Sequence, residues 1–263
     1  MAGLENQLFF VSCSRFYRPY HTMCTVTFLP TGTTQFVLTS NRDEAPNRET
    51  IPPRFYKFDG TNMLFPKDKR AGGTWIGLSD KQRLVCLLNG GFMLHERQAK
   101  YRMSRGVVVR EMLESDDIVT LIEGYDLNNI EPFTLILIEW RLELKLYELV
   151  WDGHEKHFSR LPLEPKLWSS STLYNREMKD DRQMWFKGFL NVSDVTAESI
   201  LDFHETAGKE TMDYGVIMDR GFVKTTSITQ VQKINNVTRM RYHDLENDAV
   251  RNVDFEIPEI INE

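Results

Sequence analysis

Two runs rich in β-branched and aromatic residues, 24–29 (CTVTFL) and 33–40 (TTQFVLTS), flank Pro30-Thr31-Gly32 and read as an antiparallel hairpin. No other feature restricts the chain as much, because the turn sets the register of both strands. A turn centred near Thr31 and Gly32 places Cys24 opposite Thr39. It also brings Asn41-Arg42-Asp43-Glu44 back beside the start of the first strand. A second hairpin is predicted from 74–78 and 83–88 around the polar turn Ser79-Asp80-Lys81-Gln82.

Between these hairpins Pro46, Pro52, Pro53 and Pro66 punctuate a stretch containing Phe55, Tyr56, Phe58 and Phe65, which predicts an ordered, packed irregular loop. From 104 to 124 the spacing of Val107, Val108, Met112, Leu113, Val119 and Leu121 predicts helix, with Ser115-Asp116 as a break and new N-cap. Residues 133–140 and 143–151 predict another hairpin ahead of Asp152-Gly153, and 166–173 a further strand. Helices are predicted over 175–190 and 194–207, and last strands over 215–218, 222–231 and 237–242, before an acidic terminus at 254–263. This order of blocks, with no linker or repeat, predicts one α+β domain over 23–263, its antiparallel sheets sandwiched between helical layers. Residues 1–22 read as a disordered extension or a mis-assigned start, with a propeptide as the other form of that reading.

Composition narrows the function classes. With 41% hydrophobic and 27% charged residues the 263-residue chain is of the ordinary globular kind, and its longest apolar runs, 84–88 and 135–138, are far short of the ~20 residues that cross a bilayer. A net charge of −6 and no block of consecutive Lys or Arg argue against nucleic acid as partner, leaving a small molecule or a protein. Cys13, Cys24 and Cys86 form no C-x-x-C pair, and the start lacks the basic n-region of a secretory signal, which together predict a reducing, cytoplasmic setting.

The strongest chemical candidate is Cys24 with Asn41, Arg42 and Asp43. A cysteine attacks as thiolate, and both a nearby Arg and an amine of pKa about 7.7–8.0 favour that form. Met23 directly precedes Cys24, so a chain beginning one residue later would carry the amine on the nucleophile itself. Taken alone, Cys24 also reads as a small buried hydrophobe and Asn-Arg-Asp-Glu as a polar turn; the hairpin is what joins them. Asn89-Gly90-Gly91, at the end of the strand carrying Cys86, reads either as an oxyanion donor site or as a strand-ending turn. Gly72-Gly73-Thr74-Trp75 lacks the lysine of a phosphate loop, leaving a tight turn with Trp75 in the core or a pocket wall. His154 and His157 have no third ligand in sight, so no metal site or cofactor is assigned, and no Gly-x-Ser-x-Gly elbow is present.

The motifs Met23-Cys24-Thr25-Val26, Ser40-Asn41-Arg42-Asp43-Glu44 and Ala71-Gly72-Gly73-Thr74-Trp75-Ile76-Gly77 resemble the NRDE family, also known as the transport and Golgi organisation protein 2 family. The likeness continues through Leu88-Asn89, Ser104-Arg105-Gly106 and Thr225-Thr226-Ser227-Ile228-Thr229. It implies the four-layer αββα fold of N-terminal nucleophile hydrolases, and the start is similar to the choloylglycine hydrolase and penicillin V acylase branch. Carried over, Cys24 would be the nucleophile on an amide C–N bond and its freed amine the base. Arg42 and Asp43 would orient and polarise them, Asn89 would serve as oxyanion donor, and Asn41, Trp75, Ser170 and Thr226 would line the substrate site. Two positions depart from the pattern: Ser169-Ser170-Ser171 stands where relatives place an Asn, and Thr225-Thr226-Ser227 where they place Thr-Arg-Ser. The resemblance also implies two alternatives, a ligand-binding or trafficking protein of the same fold with haem as a possible ligand, and a protein of secretory-pathway organisation.

Overall fold

The structure is a computed structural model that describes residues 23–172, 174–192 and 194–256. The expected extension at 1–22, with Cys13, lies outside them. Strand β1 (Met23–Pro30) pairs antiparallel with β2 (Phe36–Glu44), as the hairpin predicts, but the register differs: Cys24 faces Arg42, not Thr39. The connection spans Thr31 to Gln35, closed by a Thr31 N–H···O=C Gln35 bond of 2.9 Å, so the turn is longer than Pro30-Thr31-Gly32 alone. A shift by an odd number of residues reverses the faces of the strand. Cys24 and Arg42 therefore share one side of the sheet, while Asn41 and Asp43 share the other.

A six-stranded antiparallel sheet has the order β10-β1-β2-β11-β12-β13, with β10 at Lys166–Ser169, β11 at Lys224–Ile234, β12 at Val237–Asp244 and β13 at Ala249–Phe255. A seven-stranded one follows chain order: β3 (Thr50–Phe58), β4 (Thr61–Asp68), β5 (Ile76–Ser79), β6 (Arg83–Asn89), β7 (Phe133–Glu139), β8 (Lys145–Trp151) and β9 (Lys156–Leu161). Val26, Phe28, Phe36 and Leu38 of the first sheet are buried in one core with Leu84, Cys86, Ile136 and Ile138 of the second. Helix α1 (Arg105–Glu114) covers the outside of the second sheet, followed by the short α2 (Ile118–Gly124). Helices α3 (Arg176–Val192) and α4 (Ala197–Thr206) cover the outside of the first, where Phe186, Ile200 and Phe203 pack on Leu29, Val37 and Leu167. The four layers are those expected.

Several local expectations are corrected. The proline-rich stretch is a hairpin of β3 and β4: Pro52 and Pro53 fall at a register irregularity in an edge strand, where a missing N–H costs nothing. Asp59 and Gly60, both at positive φ, make its two-residue turn. The helix α2 is capped by Asp117, whose side chain accepts from Val119 and Thr120 N–H, rather than by Ser115-Asp116. Helix α4 is capped by Thr196 and begins at Ala197 rather than at 194. Residues 215–218 form no strand; Val216 and Met218 are apolar because they are buried in the helical layer. Strands β9 and β13, not expected from the sequence, are both sheet edges.

Close backbone approach fixes where α1 begins. A Cβ on Gly73 would sit 2.9 Å from the Gly106 Cα, and one on Gly106 2.9 Å from the Thr74 nitrogen. Only glycines let the first turn of α1 lie against the segment leading into β5. At the far end of the helix, buried Arg83 donates to the Met112 and Ser115 carbonyls at 2.7 and 2.6 Å, and to Glu139 at 3.0 Å. This positions the residues around Arg105 at the end of the sheet sandwich where Cys24 lies.

Candidate functional site

A cleft of about 650 Å³ opens at this end of the sandwich, and Cys24, Arg42, Asp43, Trp75 and Asn89 all line it. Of the remaining expected site residues, Asn41, Ser170 and Thr226 do not line it but stand behind it. The Ser170 N–H donates to the Cys24 carbonyl at 3.1 Å and its hydroxyl to the Asn89 carbonyl at 2.5 Å, tying the two strands that carry those residues. The Thr226 hydroxyl donates to the Arg42 carbonyl at 3.2 Å.

Asn41 points into the layer between sheet and helices. Its amide donates to the His204 and Val216 carbonyls at 3.1 and 2.8 Å, and its oxygen meets His204 Nδ1 at 2.7 Å. With Asn41 accepting, His204 carries its proton on Nδ1, and Nε2 accepts from the Thr27 hydroxyl at 2.8 Å. Burial, helped by the positive charge of Arg182, pulls the His204 pKa down to about 3, so the ring is neutral. Asp43 lies on the same face. It accepts from the Thr225 hydroxyl at 2.6 Å and from Tyr174 at 3.3 Å, and burial pushes its carboxyl up to about 6 despite these bonds. Arg182, fully buried, donates to Tyr174 and Thr25 and stacks over the Tyr174 ring at 3.5 Å.

On the cleft side Arg42 lies 4.3 Å over the Trp75 ring and donates to Asp68 at 2.7 Å and to Glu44 at 3.3 Å. Arg48 donates to the same Asp68 oxygen at 2.7 Å. Burial raises the Asp68 pKa, but the Ala71 N–H, Arg48 and Arg42 outweigh it and hold the carboxyl below its ordinary value. The two carboxylates largely neutralise both guanidiniums, and Arg42 is oriented as a fixed, planar cation beside Cys24. Cys24 itself is buried, and burial pushes its thiol well above the ordinary range; Asp43 and Cys86 act in the same direction, while Arg42 and the Asp43 backbone N–H act against it. With Met23 attached, Cys24 has a peptide nitrogen and no amine, so within the intact chain it is a protonated thiol.

The partners of Arg42 were not foreseen. The signal for Asp68 is its position two and three residues before Arg70 and Ala71, whose N–H groups it accepts at 3.0 and 2.7 Å as an Asx-type turn. Arg105 and Glu131, also in the cleft wall, pair at 3.3 Å from elements far apart in sequence. Among the described residues no histidine lines the cleft, and no group of three or more His, Cys, Asp or Glu side chains is arranged to hold a metal ion. No helix of the described residues is long and apolar enough to cross a membrane.

Comparison with known proteins gives the family and the fold. Residues 23–212 match the family model described as Transport and Golgi organisation 2. The chain belongs to that family. Among its relatives is the mouse (Mus musculus) Transport and Golgi organization 2 homolog, 36% identical over 87 residues, which is 31% of this chain and 29% of the mouse protein. The match thus spans under a third of the length of that relative. In three dimensions this family member is similar to penicillin V acylase from Agrobacterium tumefaciens, at 9% identity and TM-score 0.52 over 88% of this chain and 86% of the acylase. It is also similar to the Caenorhabditis elegans ortholog of N-acylethanolamine-hydrolyzing acid amidase, at 14% identity and TM-score 0.52 over 79% and 91% of the two chains. At these identities the likeness speaks of the fold, which is that of the N-terminal nucleophile hydrolases.

Proposed function

We propose that this member of the family is a cysteine amidohydrolase of the N-terminal nucleophile type, acting on the C–N amide bond of a small substrate once Cys24 begins the chain. The observation that carries this reading is the cleft itself. Cys24 stands in it on the first strand with Arg42 as its direct strand partner, and Asn89 lines the same space. Met23 pairs with Asp43, so the bond whose loss would free the amine lies beside that residue.

The chemistry then follows from this chain's own groups. An α-amine of pKa about 7.7–8.0 takes the thiol proton of the same residue. The thiolate sulfur attacks the carbonyl carbon, and the carbonyl electron pair moves onto oxygen, where the Asn89 side-chain amide serves as donor. Collapse breaks the C–N bond, and the ammonium proton leaves with the nitrogen. Water then attacks the thioester, giving its proton to the amine and releasing a carboxylic acid and the thiol. Arg42 favours the thiolate electrostatically, and Asp43, the strand partner of Met23, is the carboxylate assigned to the amine.

The burial that raises the Cys24 thiol favours a second role for a chain that keeps Met23, namely non-catalytic binding of a small ligand in the same cleft. A panel of N-acyl amides separates the two. Turnover by a chain beginning at Cys24, abolished in Cys24→Ala and absent while Met23 is attached, is the expected result. Equal turnover by Cys24→Ala would sink the catalytic reading.

A further inference from the structure

We propose that the loop joining β6 to α1 is a membrane-docking element that sets the mouth of the cleft against an anionic lipid surface. Phe92, Met93 and Leu94 are 56%, 79% and 64% exposed, and they are the only three consecutive large apolar side chains so displayed among the described residues. Scattered exposed apolar residues are ordinary; three at one tip are not.

The tip is built on a fixed base. Gly90, at φ +84°, donates its N–H to the Pro132 carbonyl at 3.0 Å. Gly91 lies so close to the turn after β8 that a Cβ would sit 2.9 Å from both the Trp151 oxygen and the Asp152 Cα. The Phe92 ring stands edge-on to His157 at 4.8 Å. The apolar side chains are thus held outward on an ordered stem, and insertion costs little conformational freedom.

Charge selects a lipid surface as the occupant. The chain carries a net charge of −6, yet between Gly91 and Arg105 it has Arg97, Lys100, Arg102 and Arg105 against Glu96 alone. Arg102 is matched by Asp126 at 3.4 Å and the mostly buried Arg105 by Glu131 at 3.3 Å, a carboxylate that the half-exposed Arg97 meets at 3.6 Å and His95 at 3.7 Å. Lys100 has no ion pair among the described residues. Positive charge next to an exposed apolar tip is the pattern of interfacial binding to anionic lipid, in which apolar side chains enter the headgroup boundary while Lys and Arg meet the headgroups.

The tip is continuous with the cleft. Arg97 and Lys100 line the cleft, and three residues of extended chain span at most about 11 Å from Leu94 to Arg97. A docked molecule would open its cleft at the lipid boundary, so that an amphiphile could pass from bilayer to cleft without crossing bulk water. This inference does not depend on catalysis by Cys24.

The test is sedimentation of the full chain with large vesicles of phosphatidylcholine alone and of phosphatidylcholine mixed with phosphatidylserine. Binding to the mixed vesicles, weakened by added salt and reduced at least about tenfold in F92S/M93S/L94S, is expected. The F92W variant should show blue-shifted emission, relative to the parent chain, when the mixed vesicles are added. C24A should bind as the parent does, which keeps the result separate from the amidohydrolase reading. The proposal is overturned if the parent binds neither vesicle, or if the triple substitution leaves binding unchanged. It is also overturned if that substitution changes only the oligomeric state in sedimentation velocity, which would make the tip a protein contact.

Discussion

Replacing Asp43 with Asn should change how the stability of the fold depends on pH, and the sign and size follow from the buried face of β2. The Asp43 carboxyl rises from about 4 in an unfolded chain to about 6 in the fold, mainly through burial. Between those values the native state holds a proton that the unfolded chain has lost, so this group's contribution falls as pH rises. At about 1.4 kcal/mol per pH unit over some 2 units, the loss is about 3 kcal/mol. His204 runs the other way. Its pKa falls from about 6.5 to about 3, so between these values the unfolded chain holds the extra proton and stability rises with pH. From about pH 4 to 6 the two slopes oppose each other in the parent chain. In Asp43→Asn the side-chain amide would still accept from the Thr225 hydroxyl but would not titrate, leaving the His204 slope uncompensated. Urea unfolding followed by tryptophan fluorescence at stepped pH gives the difference between variant and parent, in which all shared groups cancel. That difference should climb in favour of Asp43→Asn by about 3 kcal/mol from pH 4 to 6. A flat difference across this window would refute the claim that Asp43 is a buried, raised carboxyl.

His204→Gln gives the mirror result: the parent's advantage grows with pH between about 3 and 6.5, read by the same titration. Asp68→Ala removes the carboxylate that Arg42 and Arg48 both meet at 2.7 Å and leaves them Glu44 alone, and should cost about 1.5–3 kcal/mol in urea unfolding. Gly106→Ala forces a methyl against the Thr74 backbone and should lower stability by about 1–3 kcal/mol, whereas Gly124→Ala, where the Cβ meets nothing, should not; thermal unfolding distinguishes them.

The sandwich was legible because its central strands and helices carry strong periodicity. Residues 24–29, 83–88 and 133–140 alternate or run apolar as buried strands do, and the stripe from Val108 to Leu113 marks one face of α1. Edge strands escaped notice for the complementary reason. β13 is mostly exposed and β9 is at most half-buried, so neither has an apolar face to betray it. The β3 and β4 hairpin was hidden by its prolines, although Asp59-Gly60 was the sign of a two-residue turn. Cys24, Arg42, Trp75 and Asn89 could be gathered from short motifs, but their facing could not. A turn longer by a few residues decides that Asn41 faces His204 rather than the cleft. The pairing of Asp68 with Arg42 and Arg48, and of Glu131 with Arg105, depends on how separate strands and loops meet, which no local pattern encodes.

The central claim is that Cys24 acts as an amino-terminal nucleophile, and the most direct measurement is the intact mass and terminal residue of the protein as it is isolated in functional form. The account predicts a chain that begins at Cys24 with a free α-amine. A functional protein that still carries Met23, or any residue before it, would leave Cys24 without that amine and contradict the claim.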